Sequence, residues 1–439
     1  VLLSRYVLTY RDVRRGEHVL YDVVGDRYVG VDDAGLESIQ GWRARAPTAE
    51  EAEAARSLAE MGFVVPDAAA DDVRLAVHER SVAEGIPGTA YVTLMPTLAC
   101  DLACDYCIQK DHPQVGHMKP DVEAAALAWI AGRVVATRAR RLVVHYLGGE
   151  PLVRRDFVLR TATWLAQDSR GRGVAFEWEI TTNGVQLDVA FARAMAALGP
   201  GSIKVTLDGD RETHDAARTF RGGRGSFDRV FAAMAAVARQ VPGVRVRIGG
   251  NFRPGQEASY ERLLDRIRGA GLAGKIDSFR VKPVVEAGGC ASACGSGGAD
   301  SLVRIGASAR AKGVARQASG GIDEVSPCEL HWDRAWTIDP AGRVYKCVAV
   351  AGRPEMALGD VVAGAGRPDP LTAGKPWSSC GDCAFVPVCR GGCLGGKYAA
   401  GGRLGEVACD REGLDIRFRE EIVRRYLEEF PPAAVQPAA

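Results

Sequence analysis

Apolar and polar positions alternate in three short stretches near the start of the chain, Tyr6–Val13, Glu17–Val24 and Asp26–Val31, the period-two pattern of strands. Asp32 and Asp33 stand where they would cap a helix running to about Arg45, and Thr48 with Glu51 has the spacing of a capping box opening a second helix. Gly62-Phe63-Val64-Val65 reads as a closing strand, and Asp67 to about Pro87 as a connection. From about Thr89 the pattern changes. Short apolar runs, Tyr91–Pro96, Arg141–Leu147, Ala175–Thr181, Ser202–Leu207, Val244–Gly249 and Asp277–Pro283, alternate with amphipathic stretches such as Asp121–Arg138, Phe157–Asp168, Phe227–Gln240 and Ser259–Gly271. Six strand–helix units in succession predict an α/β chain with a parallel sheet covered by helices. Glu286–Ser301, rich in Gly, Ala and Ser, reads as a loop, the stretch on to Asp323 as a bridge between domains, and the Pro/Ala-rich tail past about Phe430 as disordered.

Polar residues collect where the strands end, which is where folds of this kind place their chemistry. The first strand leads into Cys100-Asp101-Leu102-Ala103-Cys104-Asp105-Tyr106-Cys107. Three thiols on one short loop can wrap three corners of a 4Fe–4S cubane and leave the fourth iron open for a ligand. Zinc sites favour paired CxxC elements, and no His lies at ligand spacing here. The second strand ends in Gly148-Gly149-Glu150-Pro151, two glycines for close backbone approach and a carboxylate for an ammonium. The third ends in Thr181-Thr182-Asn183-Gly184, the fourth in Thr206-Leu207-Asp208-Gly209 followed by His214-Asp215-Ala216-Ala217-Arg218, the fifth in Gly249-Gly250-Asn251.

The chain has 439 residues, room for two or three domains, with 47% hydrophobic and 25% charged residues. A net charge of +1 gives no bulk attraction to nucleic acid or anionic membrane. No apolar run is long enough to span a bilayer, and residues 1–20 lack a signal-peptide core, so a cytoplasmic protein is expected. The twelve cysteines fall in three groups, Cys100/104/107, Cys290/294 and seven between Cys328 and Cys409, and such clustering points to metal ligation.

The ordered set CxxxCxxC with Tyr106 before its last Cys, then GGEP, TTNG, TLDG and HDxxR, resembles the radical SAM superfamily over roughly residues 89–285. The resemblance implies a partial (β/α)6 TIM-like barrel. It implies that Cys100, Cys104 and Cys107 hold a cluster whose open iron is chelated by S-adenosylmethionine. Reductive cleavage would then give a 5′-deoxyadenosyl radical that takes hydrogen from a substrate carbon. Tyr106, Gly148, Gly149, Glu150 and Pro151 would meet the cofactor, Gly148, Gly149 and Glu150 at its methionyl ammonium. Thr182, Asn183, Thr206, Asp208 and Arg218 are candidates for its ribose and carboxylate. No catalytic base is assigned.

Cys328, Cys347, Cys380, Cys383, Cys389, Cys393 and Cys409 are spaced as in the SPASM extension of radical SAM enzymes. That resemblance implies two auxiliary 4Fe–4S clusters, three clusters in all. Cys380, Cys383, Cys389 and Cys409 would hold the outer one. Cys328, Cys347 and Cys393 would hold the inner one, its fourth ligand open to Cys290, Cys294, substrate or water. The first 66 residues form a winged-helix-like module similar to the leader-recognition domains of enzymes that modify ribosomally made peptides, where a peptide adds a strand to a sheet edge. The expected organisation is residues 1–87 for leader recognition and linker, 88–310 for the barrel, 311–425 for the SPASM domain and 426–439 as a disordered tail. The expected function is a peptide maturase that forms an intramolecular thioether or carbon–carbon crosslink in a precursor peptide bound through its leader, with flavodoxin or ferredoxin as electron donor. Two alternatives stand beside it. One is oxidation of Ser or Cys to formylglycine, as in anaerobic sulfatase maturases, which Val348 opposes because those enzymes carry Asp there. The other is a non-catalytic peptide-binding or electron-transfer protein.

Overall fold

The computed structural model describes residues 1–42, 44–107, 109, 116–284, 296–318 and 327–431. The chain opens with β1 (Leu2–Leu3), then an antiparallel meander of β2 (Val7–Arg14), β3 (Glu17–Asp22) and β4 (Arg27–Asp32). Asp32 caps α1 (Asp33–Gly41), accepting from the Gly35 N–H at 2.8 Å. The helix stops at Gly41, short of the expected Arg45. The Thr48–Glu51 capping box forms in both directions (2.8 and 3.3 Å), ahead of α2 (Ala52–Glu60). β5 (Val64–Val65) returns to pair with β1. Alternation gives the meander two apolar faces. Val7 and Leu20 pack with Leu36, Ile39, Leu58 and Phe63 of the module's own helices and turn. Tyr10, Val19 and Tyr21 face the other way.

The expected connection is a helix of 17 residues, α3 (Ala68–Glu84), capped by Asp67. Its Asp71 and Arg74 lock onto the meander. Ser4 Oγ donates to Asp71 (2.6 Å), and Arg74 donates to Asp22 (2.7 Å).

Next come β6 (Thr89–Leu94), α4 (Pro120–Ala136), β7 (Arg141–Tyr146), α5 (Arg155–Gly171), β8 (Ala175–Thr182), α6 (Val189–Ala196), β9 (Gly201–Thr206), α7 (Arg211–Ala217), α8 (Phe227–Gln240), β10 (Val244–Phe252), α9 (Glu257–Gly269) and β11 (Ile276–Pro283). β6 to β11 lie in sequence order, all parallel. One side of these strands (Val92, Val144, Trp178, Ile180, Ile203, Val205, Ile248) is buried in the core shared with the helices. The alternate positions, including Thr93, His145, Glu179, Thr181, Lys204 and Arg247, make the inner face polar.

Residues 296–318 depart from the loop and bridge expected there. They form α10 (Ser296–Ala311) and β12 (Ala315–Ala318), the latter adding a parallel strand beside β11. Leu302, Ile305 and Ala309 recur at helical spacing and are fully covered, so this segment belongs to the barrel and a boundary at 310 cuts through its last helix.

At the other edge β13 (Ala335–Ile338) runs parallel to β6, and β14 (Arg343–Tyr345), β15 (Gly359–Asp360) and β16 (Gly364–Ala365) extend the same sheet antiparallel, to 11 strands. Two short helices follow, α11 (Val386–Cys389) and α12 (Leu394–Ala399), then α13 (Arg411–Glu429). α13 lays Phe418, Ile422 and Tyr426 on Tyr10, Val19 and Tyr21, closing the second face of the N-terminal meander. This contact carries the helix to Glu429, so a disordered tail cannot begin at 426; Tyr426 is buried against the sheet.

Candidate active site

The loop bearing Cys100, Cys104 and Cys107 is bonded to its surroundings on two sides. On one, the Gly149 N–H donates to Thr97 O (3.0 Å) and the Glu150 N–H to Ala99 O (2.9 Å). A Cβ at Gly148 would stand 2.2 Å from Thr97 O, and one at Gly149 2.3 Å from Leu98 O. The two glycines therefore serve close approach to the cysteine loop's own backbone, where the expectation was approach to a ligand. On the other side, the Ala103 N–H donates to Thr219 O (2.8 Å) and the Asp105 N–H to Ala217 O (3.2 Å).

Glu150 is bonded within the protein. Its carboxylate turns inward and accepts from Thr182 Oγ1 (2.7 Å), the Asn183 N–H (2.6 Å) and the Leu152 N–H (2.9 Å). Burial pushes the Glu150 carboxyl up to about 7, against the pull of these bonds. With three donors in place, this buried carboxylate joins the ends of β7 and β8. Pro151 is the first residue of the single turn that follows. Asn183 completes the seam: its Nδ2 donates to Asp101 Oδ1 (2.6 Å) and lies 3.6 Å from Cys100 Sγ.

Tyr106 anchors the far end of the loop. Its hydroxyl bonds to Asp208 and receives Arg218 Nη1 (2.6 Å) and Asn251 Nδ2 (3.1 Å). Asp208 also accepts from the Asn251 N–H (2.7 Å) and faces Arg218 at 3.7 Å. Asp208 thus spends its oxygens on the protein. Arg218 keeps a buried Nε with no partner among the described residues, a donor that an anionic group of a ligand would satisfy. Thr206 lies at the end of β9 and is partly exposed. Burial pushes the Cys100 thiol up to about 12 and raises Cys104. Such thiols ionise on meeting a metal, which fits iron–sulfur ligation.

The remaining thiols form two groups. Cys380, Cys383, Cys389 and Cys409 line one small cavity, closed by Phe385 and Leu414. Cys393 lies near enough to Cys328 and Cys347 to help raise the proton affinity of both, beyond the larger effect of burial. The start of α12 accommodates them with glycine: a Cβ at Gly395 would stand 2.4 Å from Cys347 Sγ, and one at Gly396 2.7 Å from Cys393 Sγ. All ten thiols of these three groups are free of disulfides. The three thiols of the first loop fit one cluster of iron and sulfide with an open iron. Cys290 and Cys294 lie outside the described residues.

Asn251 and Asp101 belong to the site and were not singled out from sequence. Asn251 carried a signal, a polar residue ending a strand after two glycines, whereas Asp101 is legible only from its contact with Asn183.

The sequence profile of the Radical SAM superfamily matches residues 94–267. Mycofactocin maturase MftC of Mycobacterium ulcerans is 26% identical over 360 residues, covering 72% of this chain and 86% of that protein. GTP 3',8-cyclase of Rhodobacter capsulatus is 33% identical over 158 residues, covering 36% of this chain and 43% of that protein. Among solved structures, native anSMEcpe with bound AdoMet matches with a TM-score of 0.58 at 15% identity, over 78% of this chain and 100% of that one. Streptococcus suis SuiB bound to precursor peptide SuiA matches with a TM-score of 0.51 at 15% identity, over 92% and 98%. At these identities the two structures speak to the fold, and the second extends the likeness well beyond the profile's range.

Proposed function

This chain carries a radical SAM domain, and from that premise we propose that it is a peptide maturase in which Cys100, Cys104 and Cys107 hold the cluster that binds S-adenosylmethionine. The observation that carries the reading is the seam of hydrogen bonds joining four strand ends to the three-thiol loop, through Glu150, Asn183, Asp208 and Asn251. When bound, the cluster and cofactor supply reductive cleavage to a 5′-deoxyadenosyl radical that removes hydrogen from a substrate carbon.

This chain's residues position and enclose. The wall Gly148–Pro151 would meet the cofactor's methionyl ammonium. Arg218, whose Nε has no partner among the described residues, would take the cofactor's carboxylate, and Asn183 and Thr206 are candidates for its ribose. Tyr106, Thr182 and Asp208 hold these groups in register. Cys380, Cys383, Cys389 and Cys409 hold an outer auxiliary cluster, and Cys328, Cys347 and Cys393 an inner one.

The substrate is a ribosomally made precursor peptide. Two features support it: the maturase relative that spans most of this chain, and the N-terminal meander, whose edge strand β4 pairs with β3 alone among the described residues. A leader adding to that edge would present its core peptide to the barrel. Forming one crosslink removes two hydrogens. With the groups bound, one would go as an atom to the adenosyl group and the other would leave as a proton, its electron accepted by a cluster that the later thiols would hold. A low-potential carrier such as flavodoxin or ferredoxin supplies the initiating electron. No helix among the described residues is long and apolar enough to cross a membrane, and ten free thiols suit a reducing cytoplasm.

The test uses the anaerobically reconstituted chain, S-adenosylmethionine, reductant and the small peptide encoded beside its gene. The expected product has lost two hydrogens per crosslink. An unchanged peptide in the presence of intact clusters and continuing 5′-deoxyadenosine formation would overturn the peptide reading. A sulfatase-derived Ser or Cys peptide, run in parallel, is expected to stay unmodified, since Val348 puts no acid beside Cys347.

A further inference from the structure

The inner face of the barrel carries charge that the chemistry described so far does not use. Its lower layer is balanced. Glu179 accepts from Tyr91 Oη (2.9 Å) and Arg247 Nη1 (3.4 Å), and Arg247 also reaches Ser278 Oγ (3.3 Å). His145 sits between Thr181 Oγ1 (2.9 Å) and Thr93 Oγ1 (3.5 Å), held neutral because burial drops it to about 4.

At Lys204, level with Arg247 in the sheet, the balance fails. Lys204 follows Ser202 by one inward position on β9, and Lys282 stands near the end of β11, level with Asn251. The Lys204 stem lies across Gly249 of the next strand, where a Cβ would come within 3.3 Å of its Cδ. The glycine leaves room for the lysine stem to lie along the inner face over the next strand. Its ammonium has no hydrogen bond or ion pair among the described residues. The charged groups that face it are Lys282, Arg247, Glu179 and Glu329. Glu179 is already occupied by Tyr91 and Arg247, and Glu329 arrives from the segment after Cys328. Lys204 is half-buried and Lys282 exposed, so both ammonium groups are open to the barrel's interior space, and an entering anion would relieve the repulsion among Lys204, Lys282 and Arg247. Burial, reinforced by Lys282 and Arg247, pulls Lys204 down to about 8.

We infer that Lys204 and Lys282 receive a carboxylate of the substrate, drawn into the barrel beneath the three-thiol loop. The inference rests on the peptide reading above and deepens it: the segment that enters the barrel carries an acidic side chain or a free C-terminus. Lys204 and Lys282 are binding residues here, Gly249 the residue that lets the first of them reach.

Two arms test it on the reconstituted holoprotein. In the first, lysines are reductively methylated at low reagent at pH 7.5, with excess glutarate or neutral glutaramide, and Lys204 modification is read by mass spectrometry. Glutarate is expected to slow labelling of Lys204 roughly tenfold, because a neighbouring anion raises an amine's pKa by a unit or more. Glutaramide is expected to leave it unchanged, and Lys282→Met to abolish the protection. Equal labelling with both compounds overturns the inference. This arm needs no peptide, so it still reports on the site if the peptide reading fails.

In the second arm, the precursor peptide is made with each Asp→Asn or Glu→Gln change singly, and with a C-terminal amide. One of these is expected to raise KM about tenfold, and Lys204→Met to raise KM for the native peptide alike while adding nothing for that altered one. Lys204→Arg is expected to recover part of the loss. Which peptide is affected tells a side-chain carboxylate from a terminal one. If every altered peptide is processed like the native one, the site takes no substrate carboxylate and the inference is wrong.

Discussion

A methyl group at Gly149 would stand 2.3 Å from the Leu98 carbonyl and 2.4 Å from that of Ala99, one residue before the first cluster thiol. Nothing flexible is there to yield, so Gly149→Ala must displace the loop that carries Cys100. Misplacing a reacting group by an ångström costs on the order of 100-fold in rate, and 5′-deoxyadenosine formation by this variant is expected to fall by about that factor, while iron at the seven later thiols is retained. Tyr106→Phe is expected to act at the same loop more mildly. It removes the hydroxyl shared by Asp208, Arg218 and Asn251 and leaves two buried charges short of a partner, worth about 1–3 kcal/mol. Its signature is a raised KM for S-adenosylmethionine, measured by initial rates. At this scale the thiols were legible because ligand spacing is local. The partners of Glu150 were not: its donors Thr182 and Asn183 arrive 32 and 33 residues later, on another strand.

Among the elements, α3 and α13 tie the N-terminal module to the cysteine-rich region. His78 on α3 bonds Pro387 O (3.0 Å), and Glu79 holds both Lys375 (2.9 Å) and the Trp377 indole N–H (3.1 Å). On α13, Phe418 packs edge-on to Phe385, in the loop between Cys383 and Cys389. The N-terminal module and the second group of four thiols thus share one apolar cluster, which Cys383 and Cys389 border. Phe418→Ala is expected to cost about 3–5 kcal/mol and to speed proteolytic cleavage on either side of the meander, with loss of iron from the outer site before the first. Periodicity made the barrel strands and helices readable, because each apolar face repeats within its own element. It failed for α10, whose opening Ser296-Gly297-Gly298 looks like loop and whose buried face, Leu302, Ile305 and Ala309, is marked by a few side chains only. It could not show that α13 covers the first sheet, since that pairing joins opposite ends of the chain.

Taken whole, the molecule wraps a polar interior in apolar layers, and this gives it an acid weakness. His145 in the barrel is pulled down to about 4 and His214, under Asp208, to about 3, both chiefly by burial. A base with a depressed folded pKa binds its proton in the unfolded chain first, so stability is lost as pH falls from about 6.5 towards 4, by up to about 3 kcal/mol for His145. Urea midpoints against pH are expected to fall more steeply in this window for the native chain than for His145→Gln; parallel curves would show that His145 is not held neutral.

The most direct test of the cluster-and-cofactor chemistry is 5′-deoxyadenosine, quantified after the anaerobically reconstituted, reduced chain meets S-adenosylmethionine. The native chain is expected to form it, and a variant with Cys100, Cys104 and Cys107 all changed to Ala to form none while keeping iron at its other thiols. A fully iron-loaded native chain that makes no more 5′-deoxyadenosine than this variant would contradict the assignment.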